Sequence, residues 1–408
     1  MLARKSIKQS YRPSSQVLSL MEDFQRMVND CIRIGLEFEN RSGRTPSMKQ
    51  LSLISYGELK RYAVHSQYRL TAISKAAGIL SARRKSIKRG FPTRLPYQSK
   101  AMLVSCYGLT IRDGHLLVRL SPGLFESVPL NAHTLSRLSD HPMRVRSFTL
   151  TERSLSLCVA KEVKELQVGE LTSTVGVDRN LRNLTVGNRE QVTFYNMSNV
   201  AEVAENTRSI VRSYKRNDIR VRQTIASKYG RRRKERVKRI LHLASKEIVE
   251  NARANRQAIV FEEIRGIRRL YRRGNAQGPR HRSRMNSWPF HEVKRQIEYK
   301  AAWAGVPVVT LSRSETRGTT MECPRCGKRS QEAIRGDTNH YRQLWCKGCE
   351  RWLDRDLCAV LNISRRGWLR FDHSTKEGEA GEAMVREREQ RKEPLILKVD
   401  ASKLRRSE

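Results

Sequence analysis

Four cysteines in the C-terminal third constrain this chain more than any other feature. Cys323 and Cys326 form one C-x-x-C step, in C-P-R-C-G, and Cys346 and Cys349 form another, in C-K-G-C. Each step turns two thiolates toward one point, so the pair of steps can close a tetrahedron around zinc. Gly327 and Gly348 sit at or beside the knuckles, where a tight turn favours a residue without Cβ. Two disulfides, or thiols with no common role, are the competing readings, and the paired spacing favours zinc. Shortly after Cys349 come Asp354 and Asp356, opening an apolar-periodic segment with Leu357, Val360 and Leu361. A metal-stapled element that delivers an acid to a helix start reads as an insertion in a catalytic domain rather than a free-standing module.

At 408 residues the chain has length for two or three domains with buried cores. Lys plus Arg number 81 against 41 Asp plus Glu, a formal charge of +40. That excess repels itself unless a polyanion is present. A heteroduplex of about 20 base pairs, with roughly 40 phosphates, would balance it. Solubility alone asks for a net charge of only about 2–8 in a small domain. A membrane is not an expected partner, because no run of about 18 apolar residues exists. The first twenty residues lack an apolar signal core. Eight cysteines, four in a zinc pattern, fit a reducing cytoplasm. Cys31, Cys106 and Cys158 lie in apolar patterns and are expected to be buried packing residues.

The first 13 residues read as an extended basic start. Ser14-Ser15 offer an N-cap to a helix whose apolar residues, Val17 to Ile32, recur at three- and four-residue steps to about Glu39. A second helical stretch runs from about Ser47 to Lys88, with a break expected near Gly57 or Gly78, and ends in a basic tail suited to phosphate contact. From Met102 to about Val163 the period becomes two. Strands are expected at 102–107, 109–111, 116–120, 144–150 and 154–159, with turns at Asp113-Gly114 and Ser121-Pro122-Gly123. This predicts an antiparallel β-barrel or sandwich interrupted by the helices. Three strands are expected over Ser173–Val177, Leu184–Val186 and Gln191–Tyr195, then a long basic helical region over 200–256. That run is too basic for internal pairing alone and points to a phosphate backbone. Ala258 to Ile264 reads as a strand, 265–284 as a basic loop, Asn286 or Ser287 as the cap of the next helix, and Pro307 to Leu311 as a strand. The segment after Ile363 is highly charged and expected to be poorly ordered.

Asp178, Glu262 and Asp356 each end or open an element, although they lie far apart in sequence. Three acids at one cleft would repel one another without a cation, and carboxylate oxygens hold hard ions such as Mg²⁺. Two such ions about 3.5–4 Å apart can activate water and stabilise a leaving oxygen in phosphodiester cleavage. Plainer roles compete. Asp178 can cap a turn, Glu262 or Glu263 can pair with Arg265, and Asp354 is a natural N-cap with Asp356 in the first turn.

The residues V-G-V-D (Asp178), F-E-E-I (Glu262), N-S-W-P-F to E-Y-K-A (Asn286 to Ala301), the cysteine knuckles and D-R-D-L-C-A-V-L-N-I together resemble the TnpB family of transposon-associated nucleases, from which type V CRISPR effectors derive. The resemblance covers roughly residues 170–365; the N-terminal half matches in layout. It implies an α+β multidomain fold. The N-terminal part is an antiparallel β-barrel (wedge) with an inserted helical recognition domain. The C-terminal part is a RuvC/RNase H-like α/β domain with an inserted four-cysteine zinc ribbon. The corresponding divisions are 1–13 with 93–170 (wedge), 14–92 (helical), 171–318 with 350–368 (RuvC-like), 319–349 (ribbon) and 369–408 (charged tail). Asp178, Glu262 and Asp356 match the family's acidic positions. Cys358 stands where the family usually has Asn, and Thr319-Thr320 where it has Thr-Ser. The implied activity is an RNA-guided DNA endonuclease. Structural Zn²⁺ would sit on Cys323, Cys326, Cys346 and Cys349, and two catalytic Mg²⁺ on the acids. Its partners would be a guide RNA from the transposon end and target double-stranded DNA next to a short flanking motif, in a prokaryotic cytoplasm at the nucleoid. A cleavage-silent RNA-guided repressor and an unguided DNA-binding factor are the alternatives.

Overall fold

The structure is a computed structural model. It describes all residues except 108, 122, 140–142, 215–217, 265, 272–276, 333–341, 373–392 and 405–408, and the side chains at 268, 269 and 372. The chain divides into two units, Leu2–Glu162 and Val163 onward, with Met1 grouped with the second.

The N-terminal unit opens with β1 (Leu2–Ser10) and three helices, α1 (Ser15–Ser42), α2 (Met48–Leu59) and α3 (Ser66–Lys88). Helix α1 starts where expected: the Ser14 hydroxyl accepts from the Val17 N–H at 3.2 Å, satisfying one orphan donor. It ends at Gly43, whose φ of 67° lets its N–H turn back to the Glu39 carbonyl. A capping box between Ser47 and Gln50 starts α2. The break in the second helical stretch falls between Leu59 and Ser66, and Gly78 lies inside α3.

Next come β2 (Met102–Ser105), β3 (Thr110–Arg112), β4 (His115–Ser121), β5 (Leu124–Pro129), α4 (Ala132–Leu138), β6 (Arg144–Thr151) and β7 (Ser154–Glu162). Asp113 and Gly114 both have positive φ, 48° and 76°, as the tight β3–β4 turn requires. These strands do not close into a barrel. Among the described residues they form two antiparallel sheets, ordered β1-β7-β6-β2 and β3-β4-β5. Strand β5 and helix α4 were not anticipated. Phe125 and Leu124 on β5 are exposed, so the segment lacks the alternation that marks a half-buried strand. Helices and sheets share one core, with Phe24, Met27, Leu51, Tyr68, Leu103 and Phe148 among its members. Cys31 is buried as expected, but Cys106 is exposed and Cys158 only partly buried. Cys106 lies just past the end of β2, where the inward alternation has stopped.

The C-terminal unit is built on β8 (Ser173–Arg179), β9 (Asn183–Gly187), β10 (Gln191–Asn196), α5 (Ser198–Ser213), α6 (Ile219–Ala254), β11 (Gln257–Glu262), α7 (Pro279–Ser287), α8 (Phe290–Ala304) and β12 (Val308–Leu311). A small sheet of β13 (Gln331–Glu332), β14 (Gln343–Cys346) and β15 (Arg351–Asp354) follows, then α9 (Arg355–Asp372) and β16 (Leu395–Asp400). The main sheet is ordered β12-β11-β8-β9-β10-β16, with β9 antiparallel to its neighbours and the other pairs parallel. The expected basic loop over 265–284 contains α7, and α8 begins after Pro289 with no side-chain cap, so neither Asn286 nor Ser287 caps it. The charged tail is not without structure: residues 395–400 pair in parallel with β10, while 373–392 lie outside the described residues.

The two faces of β8 serve different partners. Val175 and Val177 enter the core with α6 and α8. Thr174 and Gly176 face α9: the Thr174 hydroxyl donates to the Ser364 carbonyl at 2.7 Å, and a Cβ on Gly176 would lie 2.4 Å from the Val360 carbonyl oxygen. Bare Gly176 therefore permits the close approach of helix and strand. Gly176→Ala is expected to cost about 1–3 kcal/mol by overpacking. Gly230→Ala, mid-helix with open space around it, is expected to stabilise by up to about 1 kcal/mol. Urea unfolding of both variants checks the contrast.

Candidate functional site

The thiols come together. Among the described residues Cys323, Cys326, Cys346 and Cys349 form the one group of ligand atoms within 4.8 Å of one another that suits a metal ion. All four are free of disulfides. Cys323 and Cys349 sulfurs are 3.8 Å apart, and Cys326 and Cys346 sulfurs 3.5 Å. A tetrahedron with zinc–sulfur arms of about 2.3 Å has edges of roughly 3.8 Å, so the cage fits structural Zn²⁺. Gly327 has φ 72°, a left-handed backbone that favours glycine, and a Cβ on Gly348 would crowd the Cys326 sulfur at 3.1 Å. Cys358, at the family's usual Asn position, is fully buried beside Cys323, Leu344, Cys346 and Leu353 and supports α9 by packing. The ribbon is tied to α9 through Asn362, whose amide donates to the Thr319 and Glu322 carbonyls at 2.9 and 2.8 Å.

The acids lie at one end of the main sheet. Asp178 is near the end of β8, Glu262 ends β11 beside it, and Asp356 is in the first turn of α9. Asp178 is buried and its carboxyl is pushed up to about 7, first by burial and then by the charges of Glu262 and Asp356. Glu262 is also raised by burial, against the opposing pull of Arg179. Strands β8 and β11 are paired neighbours and α9 packs on β8, so the three acids belong to adjacent elements. Asp354 is spent on capping: its Oδ1 accepts from the Asp356 and Leu357 N–H groups at 2.8 and 2.9 Å. Asp356 is thus left to face the site.

Four supporting residues escaped the sequence reading. Asn180 donates to Asp178 Oδ2 at 2.8 Å, and Asn183 to Asp356 Oδ2 at 3.1 Å. Arg342, from the ribbon, donates to Asp356 Oδ1. Arg179 is buried and donates to the Glu262 carbonyl at 2.7 Å. The two asparagines belong to the short turn after Asp178, a legible signal; Arg342 carries none, because only the folded ribbon brings it to Asp356.

The donor set suits hard cations, since it consists of carboxylates whose repulsion a cation would relieve. Unlike the four thiols, the three carboxylates do not bring their ligand atoms all within 4.8 Å of one another.

The chain is similar to known proteins across this unit and beyond. Residues 290–363, from α8 into α9, match the family described as Cas12f1-like, TNB domain. A TnpB-like protein of Methanocaldococcus jannaschii, MJ0751, is 32% identical over 144 residues, which are 35% of this chain and 48% of that protein. The chain thus spans about half the length of the curated relative it matches. A Cas12f1 chain, solved in a complex described as Cas12f1-sgRNA-target DNA, has the same fold at a TM-score of 0.59 and 13% identity, covering 86% of this chain and 83% of that one.

Two outcomes are expected here. Cys326→Ser should lower bound zinc, measured by plasma mass spectrometry, and expose ribbon amides to hydrogen exchange, because structural zinc supplies folding free energy. In Mg²⁺-free buffer, stability should fall as pH rises from about 4 toward 7. Asp178 holds its proton to a higher pH folded than unfolded, so the folded state binds more protons in that window. Asp178→Asn should flatten the slope in thermal melts.

The matched domain, the curated relative and the shared fold agree with the resemblance that the motifs carry: over these segments the chain is similar to TnpB-like and Cas12f1-like proteins.

Proposed function

We propose that this protein is an RNA-guided DNA endonuclease whose RuvC-like site uses Asp178, Glu262 and Asp356. The observation that carries this reading is positional: Asp178 lies near the end of β8, Glu262 ends the adjacent β11, and Asp356 opens α9, which packs on β8. The sheet order supports an RNase H-type core: β8, β9 and β10 form an antiparallel meander, and β11 and β12 extend it in parallel beside β8. The ribbon lies in sequence between β12 and α9.

The three acids would hold two Mg²⁺, and these ions, when bound, supply water activation and leaving-oxygen stabilisation. Asn180 and Asn183 fix the rotamers of Asp178 and Asp356, so their oxygens are set before a cation arrives. Arg179 offsets part of the charge of Glu262 from below. Arg342 balances Asp356 and, being half exposed, can turn toward a phosphate that enters the site.

Nucleic acid would be gripped by charge. The first half of α6 presents Arg231, Arg232, Lys234, Arg236, Lys238 and Arg239, exposed or nearly so and without an ion pair among the described residues. Such a face neutralises phosphates without reading bases. Sequence choice would then fall to the guide, with the protein reading heteroduplex shape and a short flanking motif.

Asp178→Ala protein loaded with its own RNA should lose target cleavage in Mg²⁺ by at least about a hundredfold, because an ion-holding carboxylate acts in every turnover. Cleavage at the wild-type rate would overturn the site. Wild-type protein that binds target but never cuts a supercoiled plasmid would favour the silent repressor; a preparation carrying no defined RNA would favour the unguided factor. Affinity for RNA should fall steeply with salt, with a slope reduced by about 2 in Arg231→Ala/Arg232→Ala protein if both contact phosphates.

A further inference from the structure

A second site lies on the other face and at the other end of the same sheet. A cavity of about 200 Å³ opens between the last turns of α6 and the starts of β8, β10 and β11. Gln257, on its wall, is five residues before Glu262, or about 17 Å along the strand. Val175, Val186, Ile248 and Ala252 form apolar walls, and the cavity also abuts the buried Tyr195. The polar lining is mostly amide, with Asn188, Gln191, Asn251, Asn255 and Gln257, joined by the Thr193 hydroxyl and by the exposed Glu190.

Those amides are held but not used up. Asn188 is buried and locked: it donates to Ser173 Oγ at 3.2 Å and accepts from the Glu190 and Gln191 N–H groups. Gln257 shares Ser173 Oγ at 3.1 Å, and Asn255 donates to the Asn251 carbonyl at 3.0 Å. The side-chain oxygens of Gln191, Asn255 and Gln257 accept no hydrogen bond among the described residues. Each amide NH₂ has a second hydrogen to give. A ligand for this cleft needs apolar faces and an edge with both donors and acceptors. The volume is below the roughly 300–1,000 Å³ of drug-sized sites, enough for one ring system with its substituents left at the mouth. Arg253 and Arg256, exposed, flank lining residues in sequence and suit a phosphate there.

We propose that this cleft takes one unpaired nucleobase of the bound RNA, a base-reading contact away from the cleaving end. Amide side chains match base edges in two-point hydrogen bonds. The proposal rests on the RNA-binding reading above, but its test needs neither metal nor cleavage. The purified full chain is titrated with each of the four ribonucleoside 5′-monophosphates, followed by saturation-transfer NMR. At least one nucleotide should bind saturably, and at least fivefold more weakly to Asn255→Ala, an exposed position, and to Ala252→Leu, which fills the cleft. In the RNA-loaded complex a photo-crosslinker at Asn255 should capture RNA. No saturable binding, equal binding by both variants, full competition by inorganic phosphate, or capture of DNA alone would overturn the proposal. Loss of nuclease activity in Asp178→Ala leaves these readouts untouched, so the two readings fail separately.

Discussion

Three carboxylates drawn to one end of a sheet is the arrangement around which the C-terminal unit is organised. Burial opposes it, and so does the charge of Glu262 and Asp356, which together hold the Asp178 carboxyl above the ordinary carboxylate range. The unit holds it by making α9 and β8 inseparable. Gly176 lets the helix backbone come within reach of the strand, and Thr174 and Ser364 exchange hydrogen bonds across the contact. A second glycine on α9 repeats the device: a Cβ on Gly367 would lie 2.3 Å from Val260 on β11. Buried positions of this kind tolerate little change, because interiors are close-packed.

The zinc cage and the carboxylates form one mechanical system. The ribbon is too small for a substantial core of its own: among the described residues Leu344, Leu353, Cys323 and Cys346 are buried together, and Cys358 of α9 completes the cluster. Small elements of this size lean on a metal for folding free energy. Once closed, the ribbon grips α9 through Asn362 and through Glu322, which pairs with Arg365 and Arg366. It also sends Arg342 to Asp356. The metal site therefore bears on the acid site through contacts on one helix, with no residue common to the two.

Charge is distributed by use. Cations that build the unit are paired, as Arg284 is with Glu205 and Arg370 with Glu315. The exposed run on α6 has no ion pair among the described residues, and it leaves the helix half bare: the buried residues of α6 begin only at Leu241. A helix with an apolar stripe along its second half and a solvated basic face along its first is suited to a polyanion outside the unit's own core.

Much of this was legible in the residues. The four cysteines, the helix cap at Ser14, the helix start near Ser47, the apolar strands ending at Asp178 and Glu262 and the choice of Asp354 as a cap all follow from local rules of spacing and hydrogen bonding, which act within a few residues. What local rules do not reach needed the folded chain. The sheets of the N-terminal unit stay open and not barrel-like because strand pairing is decided across long separations. Strand β16 is recruited by the edge of β10 from the far end of a charged tail. Arg342 meets Asp356 through the fold of the ribbon, and the amide cleft assembles from four strands and a helix end. Sequence alone determined which residues have the chemistry to hold metal and phosphate, since side-chain type and short spacing settle that. Tertiary structure decided which of them meet, because like charges and distant strands come together only when the packing of the whole unit outweighs their repulsion and chain entropy.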